Sequence, residues 1–209
     1  MAFVTDKTLF IHVQKTGGMS VREVLYRCNP VGHESGDAEG ERHFGLPELR
    51  ARHPGIESGR LSFGFVRHPV TWLVSRWTFA VASGFPVHVK HRGTAAQVWM
   101  ACCWSYRFDV FIERYLERYP GIATQTMFQK LGLWSDKPAD RIGRTETLQE
   151  DLSRILLEAG EVGWPSDAPK PPRRNATERR PENVAVVTPS MRKRILEAER
   201  PLCERFNYD

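Results

Sequence analysis

Residues 8–25, TLFIHVQKTGGMSVREVL, set an apolar run, a short turn holding Lys15, Gly17 and Gly18, and helix-forming sequence one after another. Leu9, Phe10, Ile11 and Val13 are nearly continuous within residues 8–13, the pattern of a strand covered on both faces in a parallel sheet. Gly17 and Gly18 permit a tight turn whose backbone comes close to a ligand, and Ser20 can cap the following helix or donate its hydroxyl. The N–H groups and dipole of that helix start would converge with Lys15 on one anion, so a phosphate or sulfate is expected there. The turn is not a Walker A loop, because G-x-x-x-x-G-K-[ST] places Lys after the last Gly and here Lys15 precedes both. Taken alone, Lys-Thr-Gly-Gly also reads as a plain strand-to-helix turn with a surface lysine.

A second segment repeats the plan. In residues 61–80, LSFGFVRHPVTWLVSRWTFA, Phe63, Phe65 and Val66 lead to Arg67, and Pro69 stands where a first helical turn accepts it. Arg67 at the carboxyl end of a strand and Ser75 two turns into the helix would both reach the crevice where open α/β sheets bind ligands. A guanidinium offers a planar fork of donors suited to phosphate. The competing reading pairs Arg67 with a nearby carboxylate and leaves Ser75 to pack.

HVQKTGGMS resembles the 5′-phosphosulfate-binding loop, and FVRHPVTWLVSRW the 3′-phosphate-binding segment, of the sulfotransferases that use 3′-phosphoadenosine 5′-phosphosulfate. The resemblance is to the carbohydrate-type branch that includes heparan sulfate 2-O-sulfotransferase. DRIGRTETLQEDLSRIL is similar to the family's later strand and helix, RRNATERRP to its basic loop near the nucleotide, and ERFNYD to its terminal helix. Four positions depart from the pattern. Gln14 replaces the usual Pro, Met19 the usual Thr, His68 an Asp or Asn, and Trp72 a frequent second Arg.

The resemblance implies an α/β fold, P-loop-like and three-layered, with a mostly parallel central sheet flanked by helices. It implies 3′-phosphoadenosine 5′-phosphosulfate (PAPS) as co-substrate and 3′-phosphoadenosine 5′-phosphate (PAP) as product, with no metal. Lys15, Thr16, Gly17, Gly18, Met19 and Ser20 would hold the 5′ group, Arg67 and Ser75 the 3′-phosphate. Arg174, Thr177 and Arg179 would act from a flap that also carries Arg173 and Arg180, although such a charge run is equally a solvated loop.

Sulfuryl transfer also needs a base for the proton of the attacking hydroxyl or amine. His33, Glu34, Glu39, Glu41, His43, Glu48 and His53 lie between the two motifs, and chemistry alone admits each of them. RHFGLPEL resembles the part of the family that supplies a catalytic histidine, which places His43 in that role with Glu41 as runner-up. Lys15 would be the other catalytic residue, meeting the charge on the departing phosphate.

The length of 209 residues suits one domain, residues 1–209, since no linker or internal repeat divides the chain. A net charge of +5 and a pI near 9.2 favour an anionic ligand without choosing among a nucleotide, a glycan and a nucleic acid. Two other classes stay open: a P-loop kinase or nucleotide hydrolase, lacking the GK[ST] end, and a non-enzymatic polyanion binder. The expected partner is a small-molecule or glycan acceptor, with no nucleic acid. No signal peptide is read in residues 1–7 and no stretch approaches the roughly 20 apolar residues of a membrane span, so a cytoplasmic protein with reduced cysteines is expected.

The remaining expectations are structural. Residues 95–118 and 124–131 read as helical, 140–144 as a short strand, 147–158 as a helix with Leu148, Leu152, Ile155 and Leu156 on one face, and 189–206 as a last helix. Trp72, Trp77, Phe85, Trp99 and Trp104 offer either core or an aromatic sugar platform.

Overall fold

The computed structural model describes residues 2–28, 33–35, 44–83, 95–161 and 184–209. Along the chain run β1 (Ala2–Val4), β2 (Thr8–Ile11), α1 (Gly18–Cys28), β3 (His33–Ser35), α2 (Leu46–Arg52), β4 (Leu61–Val66), α3 (Pro69–Ala82) and α4 (Ala95–Cys103). There follow α5 (Phe108–Arg118), α6 (Ile122–Leu131), β5 (Arg141–Arg144), one 3-10 turn (Thr145–Thr147), α7 (Leu148–Ala159), α8 (Pro189–Ala198) and α9 (Arg200–Phe206). They fall into two compact units, Met1–Arg67 with Gln125–Asn175 and His68–Thr124 with Ala176–Asp209.

The first unit is α/β, built on an open mixed sheet in the order β3-β1-β2-β4-β5. β2, β4 and β5 are parallel neighbours, whereas β1 is antiparallel to both β2 and β3. The expected mostly parallel sheet is therefore met only in its β2-β4-β5 part. The reason is local: three residues separate β1 from β2, and so short a link can only fold the strand back antiparallel. Thr5 Oγ1 fixes that turn by accepting from the N–H groups of Lys7 and Thr8 at 3.1 and 2.8 Å.

Register sets the core. Phe3, Phe10 and Phe63 are successive partners across three strands, and with Phe65 they form one aromatic face. Val21, Val24 and Leu25 of α1 and Leu152, Ile155 and Leu156 of α7 close over it. Each such side chain contributes roughly 1.5–3 kcal/mol on burial, so this face anchors both helices. On the opposite face Leu131 of α6 lies over Gly64, where an added Cβ would come 2.4 Å from Leu131 Cδ2. The end of α7 is tied to the β1–β2 turn: Gly160 takes the left-handed conformation at φ 72°, and the buried Glu161 carboxylate then accepts from Thr5 Oγ1 and, at 2.9 Å, from Thr8 Oγ1.

The second unit is helical. Trp72, Trp77 and Trp99 are each 1% exposed, which settles them as core and not as a sugar platform. Trp72 stacks on Trp99 at 5.8 Å, Trp77 meets Phe108 edge-on at 5.3 Å, and the Arg76 guanidinium lies 5.5 and 5.4 Å from the Trp72 and Trp99 rings. Phe85 lies outside the described residues.

Two expected helices are each broken in two. Residues 95–118 divide at 104–107, where Trp77 Nε1 donates to the Ser105 carbonyl at 2.9 Å. Residues 189–206 divide at Glu199, two residues ahead of Pro201, which cannot continue the hydrogen-bond ladder. Glu199 is fully buried and accepts four hydrogen bonds: from Tyr115 Oη at 2.7 Å, Ala123 N at 2.9 Å, Thr124 N at 2.7 Å and Thr124 Oγ1 at 2.6 Å. Ala123 and Thr124 are the second and third residues of α6, so a carboxylate remote in sequence caps that helix.

Candidate functional site

β2 ends at Ile11 and α1 begins at Gly18, so residues 12–17 form the turn between them. Val13 N–H donates to the Ile11 carbonyl at 3.1 Å and Thr16 Oγ1 to the Val13 carbonyl at 2.9 Å, which folds the turn back on its own strand. Lys15 stands at φ 66° and Gly17 at φ 82°, both left-handed. Glycine takes that conformation freely, whereas for Lys15 it costs roughly 1–2 kcal/mol, a strain of the kind concentrated at ligand-binding turns. Gly18 is held for another reason: a Cβ there would lie 2.1 Å from His12 Cδ2, so the start of α1 seats directly on the His12 ring. Ser20 N–H and Val21 N–H return to the Gly17 carbonyl at 2.9 and 3.3 Å and close the first turn of α1.

The neighbouring parallel strands complete the surroundings. Arg67, one residue past β4, donates from Nη1 to the Lys15 carbonyl at 3.0 Å. Thr145, one residue past β5, donates from Oγ1 to the Val66 carbonyl at 2.9 Å, and its methyl and Leu148 lie within 4 Å of the place a Cβ on Gly17 would occupy. The structure thus brings Lys15, Thr16, Gly17, Gly18, Met19, Ser20 and Arg67 together at the carboxyl ends of β2 and β4.

Their exposures differ in a way that matters. Thr16 and Ser20 are buried at 1% and 7%, and the Thr16 hydroxyl is spent within the turn, leaving its N–H as the group available for an anion. Met19 is 39% exposed and its Sδ receives Arg22 Nη1 at 3.4 Å. At that position the backbone is therefore what remains to serve a ligand.

Ser75 sits half-buried on α3 in the second unit. His43, Glu41, Glu39, Arg174, Thr177 and Arg179 lie outside the described residues, as do Arg173 and Arg180. Of two other candidate bases, the Glu48 side chain has a structural role and His53 contributes its main chain to a helix end. Glu48 Oε2 accepts from Gly45 N–H at 2.8 Å as the reciprocal cap of α2, with Lys130 Nζ 4.0 Å from its other oxygen, and His53 ends the same helix through its N–H to the Leu49 carbonyl at 2.8 Å.

The departure at His68 has a simple account. Its Nδ1 accepts from Val70 N–H at 3.2 Å, so the imidazole caps α3 as an Asp or Asn would. Nε2 lies 3.1 Å from the Asp209 main-chain oxygen, which Arg192 Nη2 also approaches, and the ring meets Tyr208 edge-on at 5.2 Å. In sequence alone His68 and His12 gave no sign of these roles, although a bare Gly18 implies that something bulky must lie against it.

Among the described residues no group of three or more His, Cys, Asp and Glu is placed to hold a metal ion, and no helix is long and apolar enough to cross a membrane. Two clefts are lined by described residues, one of about 410 Å³ by Arg192, Lys193, Leu196 and Arg200 among others, and one of about 380 Å³ by Arg50, Ile56, Glu57 and Lys137 among others. Neither is lined by the Lys15 turn. Compared with protein families, characterised proteins and solved structures, the chain matches none.

Proposed function

We propose that the chain is a PAPS-dependent sulfotransferase of the carbohydrate type, with a P-loop-like three-layer fold. The observation that carries the reading is the Lys15 turn between β2 and α1, bound through its Lys15 carbonyl to Arg67 at the end of the adjacent parallel strand. Support for the layers comes from α1 and α7 on one face of the sheet and Leu131 on the other.

In this reading the N–H groups of residues 16–19, at the start of α1, hold the 5′-phosphosulfate, and Arg67 the 3′-phosphate. The acceptor oxygen or nitrogen attacks sulfur in line, the bond from sulfur to the bridging 5′-phosphate oxygen breaks with its electron pair going to that oxygen, and the acceptor proton passes to a base. Lys15 meets the charge that grows on the leaving oxygen. His43 is the base that the family resemblance implies. The acceptor is a small molecule or glycan. The thiols of Cys102, Cys103 and Cys203 are free, which suits a cytoplasmic setting.

Titration with PAP, adenosine 5′-monophosphate, and ATP with and without Mg²⁺ tests the proposal. PAP binds clearly better than the monophosphate, and Arg67→Ala weakens PAP by about tenfold or more, since a charged hydrogen bond contributes roughly 1.5–3 kcal/mol. Equal affinity of the wild type for PAP and the monophosphate, or preferential binding of ATP with Mg²⁺, overturns it.

A further inference from the structure

Thr145 opens the 3-10 turn that follows β5, and the two arms on its Cβ reach both halves of the candidate site. The hydroxyl donates from Oγ1 to the Val66 carbonyl at 2.9 Å. That carbonyl belongs to the peptide unit joining Val66 to Arg67, and a peptide unit is planar, so a bond to its oxygen also sets the plane from which Arg67 departs. The methyl lies 3.8 Å from the place a Cβ on Gly17 would occupy, with Leu148 Cδ2 3.2 Å from the same point. With two heavy atoms on Cβ the side chain is stiff at χ1, so once the hydroxyl is engaged the direction of the methyl is settled. The main chain beneath is held from α7: Asp151 Oδ2 accepts from Arg144 N–H and from Thr147 Oγ1, each at 2.8 Å, on either side of Thr145.

A third contact closes the ring. Arg67 Nη1 donates to the Lys15 carbonyl at 3.0 Å, the oxygen of the peptide unit that carries the Thr16 N–H. The contacts run from Thr145 Oγ1 to the peptide before Arg67, from the Arg67 guanidinium to the peptide after Lys15, and past Gly17 back to the Thr145 methyl. All of these residues lie in the first unit. A residue strained as Lys15 is, at φ 66°, keeps that conformation only where its surroundings over-determine it, and this ring is part of those surroundings.

Resting on the sulfotransferase reading, we infer that Thr145 is a positioning residue of the same site. Its hydroxyl holds the peptide that delivers Arg67 to the 3′-phosphate, while its methyl backs the Gly17 turn. It acts through Arg67 and not on the ligand. Substitution separates the two arms: valine keeps both branches in size and removes the hydrogen bond, whereas serine keeps the hydroxyl and removes the methyl.

The test is calorimetric titration of the full chain at fixed ionic strength with PAP and with adenosine 5′-monophosphate. It compares wild type, Thr145→Val, Thr145→Ser, Arg67→Ala and the double variant Thr145→Val with Arg67→Ala, each checked by circular dichroism. Thr145→Val weakens PAP by about fivefold, the worth of one ordinary hydrogen bond, and the monophosphate by less than about twofold. In the Arg67→Ala background the same change weakens PAP by less than about twofold, because a residue that acts through Arg67 has nothing left to position. Thr145→Ser keeps the wild-type ratio of the two affinities. Unchanged PAP affinity in a folded Val variant, an equal loss of both nucleotides, or a loss that persists in full without Arg67 each overturns the positioning role and leaves the sulfotransferase reading standing. Should Thr145→Val fail to fold, the serine variant decides, since loss of the PAP preference with the hydroxyl still present overturns the role as well. A wild type that does not distinguish the two nucleotides overturns the parent reading and this inference with it.

Discussion

On the proposed sulfotransferase reading, Lys15→Ala is expected to lower sulfuryl turnover by roughly 10²–10³ while PAP affinity falls by less than about tenfold, the pattern of an interaction that strengthens as charge moves onto the leaving oxygen. The structure makes this substitution unusually clean. The contact joining Lys15 to Arg67 is made by the Lys15 carbonyl, which Ala keeps, and alanine meets the same left-handed strain at φ 66°. The methylene stem and its ammonium are removed, and this main-chain contact stays. Turnover within a factor of about three of wild type, measured at saturating co-substrate, takes the electrostatic role away from Lys15.

The largest effect on stability belongs to Glu199. Glu199→Ala leaves Ala123 N–H, Thr124 N–H and two hydroxyls without their acceptor in a buried place, and removes the cap of α6. At about 1–3 kcal/mol per stranded donor, a loss of about 3 kcal/mol or more is expected from urea unfolding of the full chain followed by tryptophan fluorescence. A loss below about 1 kcal/mol means that water replaces the carboxylate and the network is not a support.

The pH dependence of this site has a definite sign. Burial holds the Glu199 carboxyl above its usual range, against the pull of the Thr124, Tyr115 and Ala123 donors. A carboxyl whose folded pKa is raised binds its proton more tightly in the folded state, so its contribution is fully present below the unfolded value near 4.3 and is lost as pH rises through the folded pKa. The unfolding free energy of wild type minus that of Glu199→Gln, in which no proton is exchanged at 199, therefore declines across that window. A difference that grows with pH contradicts burial as the ruling influence.

What could be read in the sequence was whatever a run of neighbours encodes. β2 with its turn and α1, β4 with α3, and α7 each carry a continuous apolar or helical-period signal ending in a residue that stops it. β1 and β3 have three residues each, too few for a period, and with them went the antiparallel half of the sheet. Glu199 was hidden for the opposite reason. Its partners lie 75 to 84 positions away, and in sequence it is one more charge in a charged helix. Arg144 was legible as part of a strand, but its pairing with Val66 follows from the register of β5 on β4, which only the folded sheet supplies.

On the proposed reading, position 15 places folding and chemistry in opposition. Glycine there would relieve the left-handed strain and asparagine would lessen it, and either substitution removes the ammonium. A library randomised at this codon and selected for abundance alone would drift towards those two residues, while selection for sulfation would hold lysine. The divergence between the two populations would weigh, in living cells, what the turn gives up in order to work.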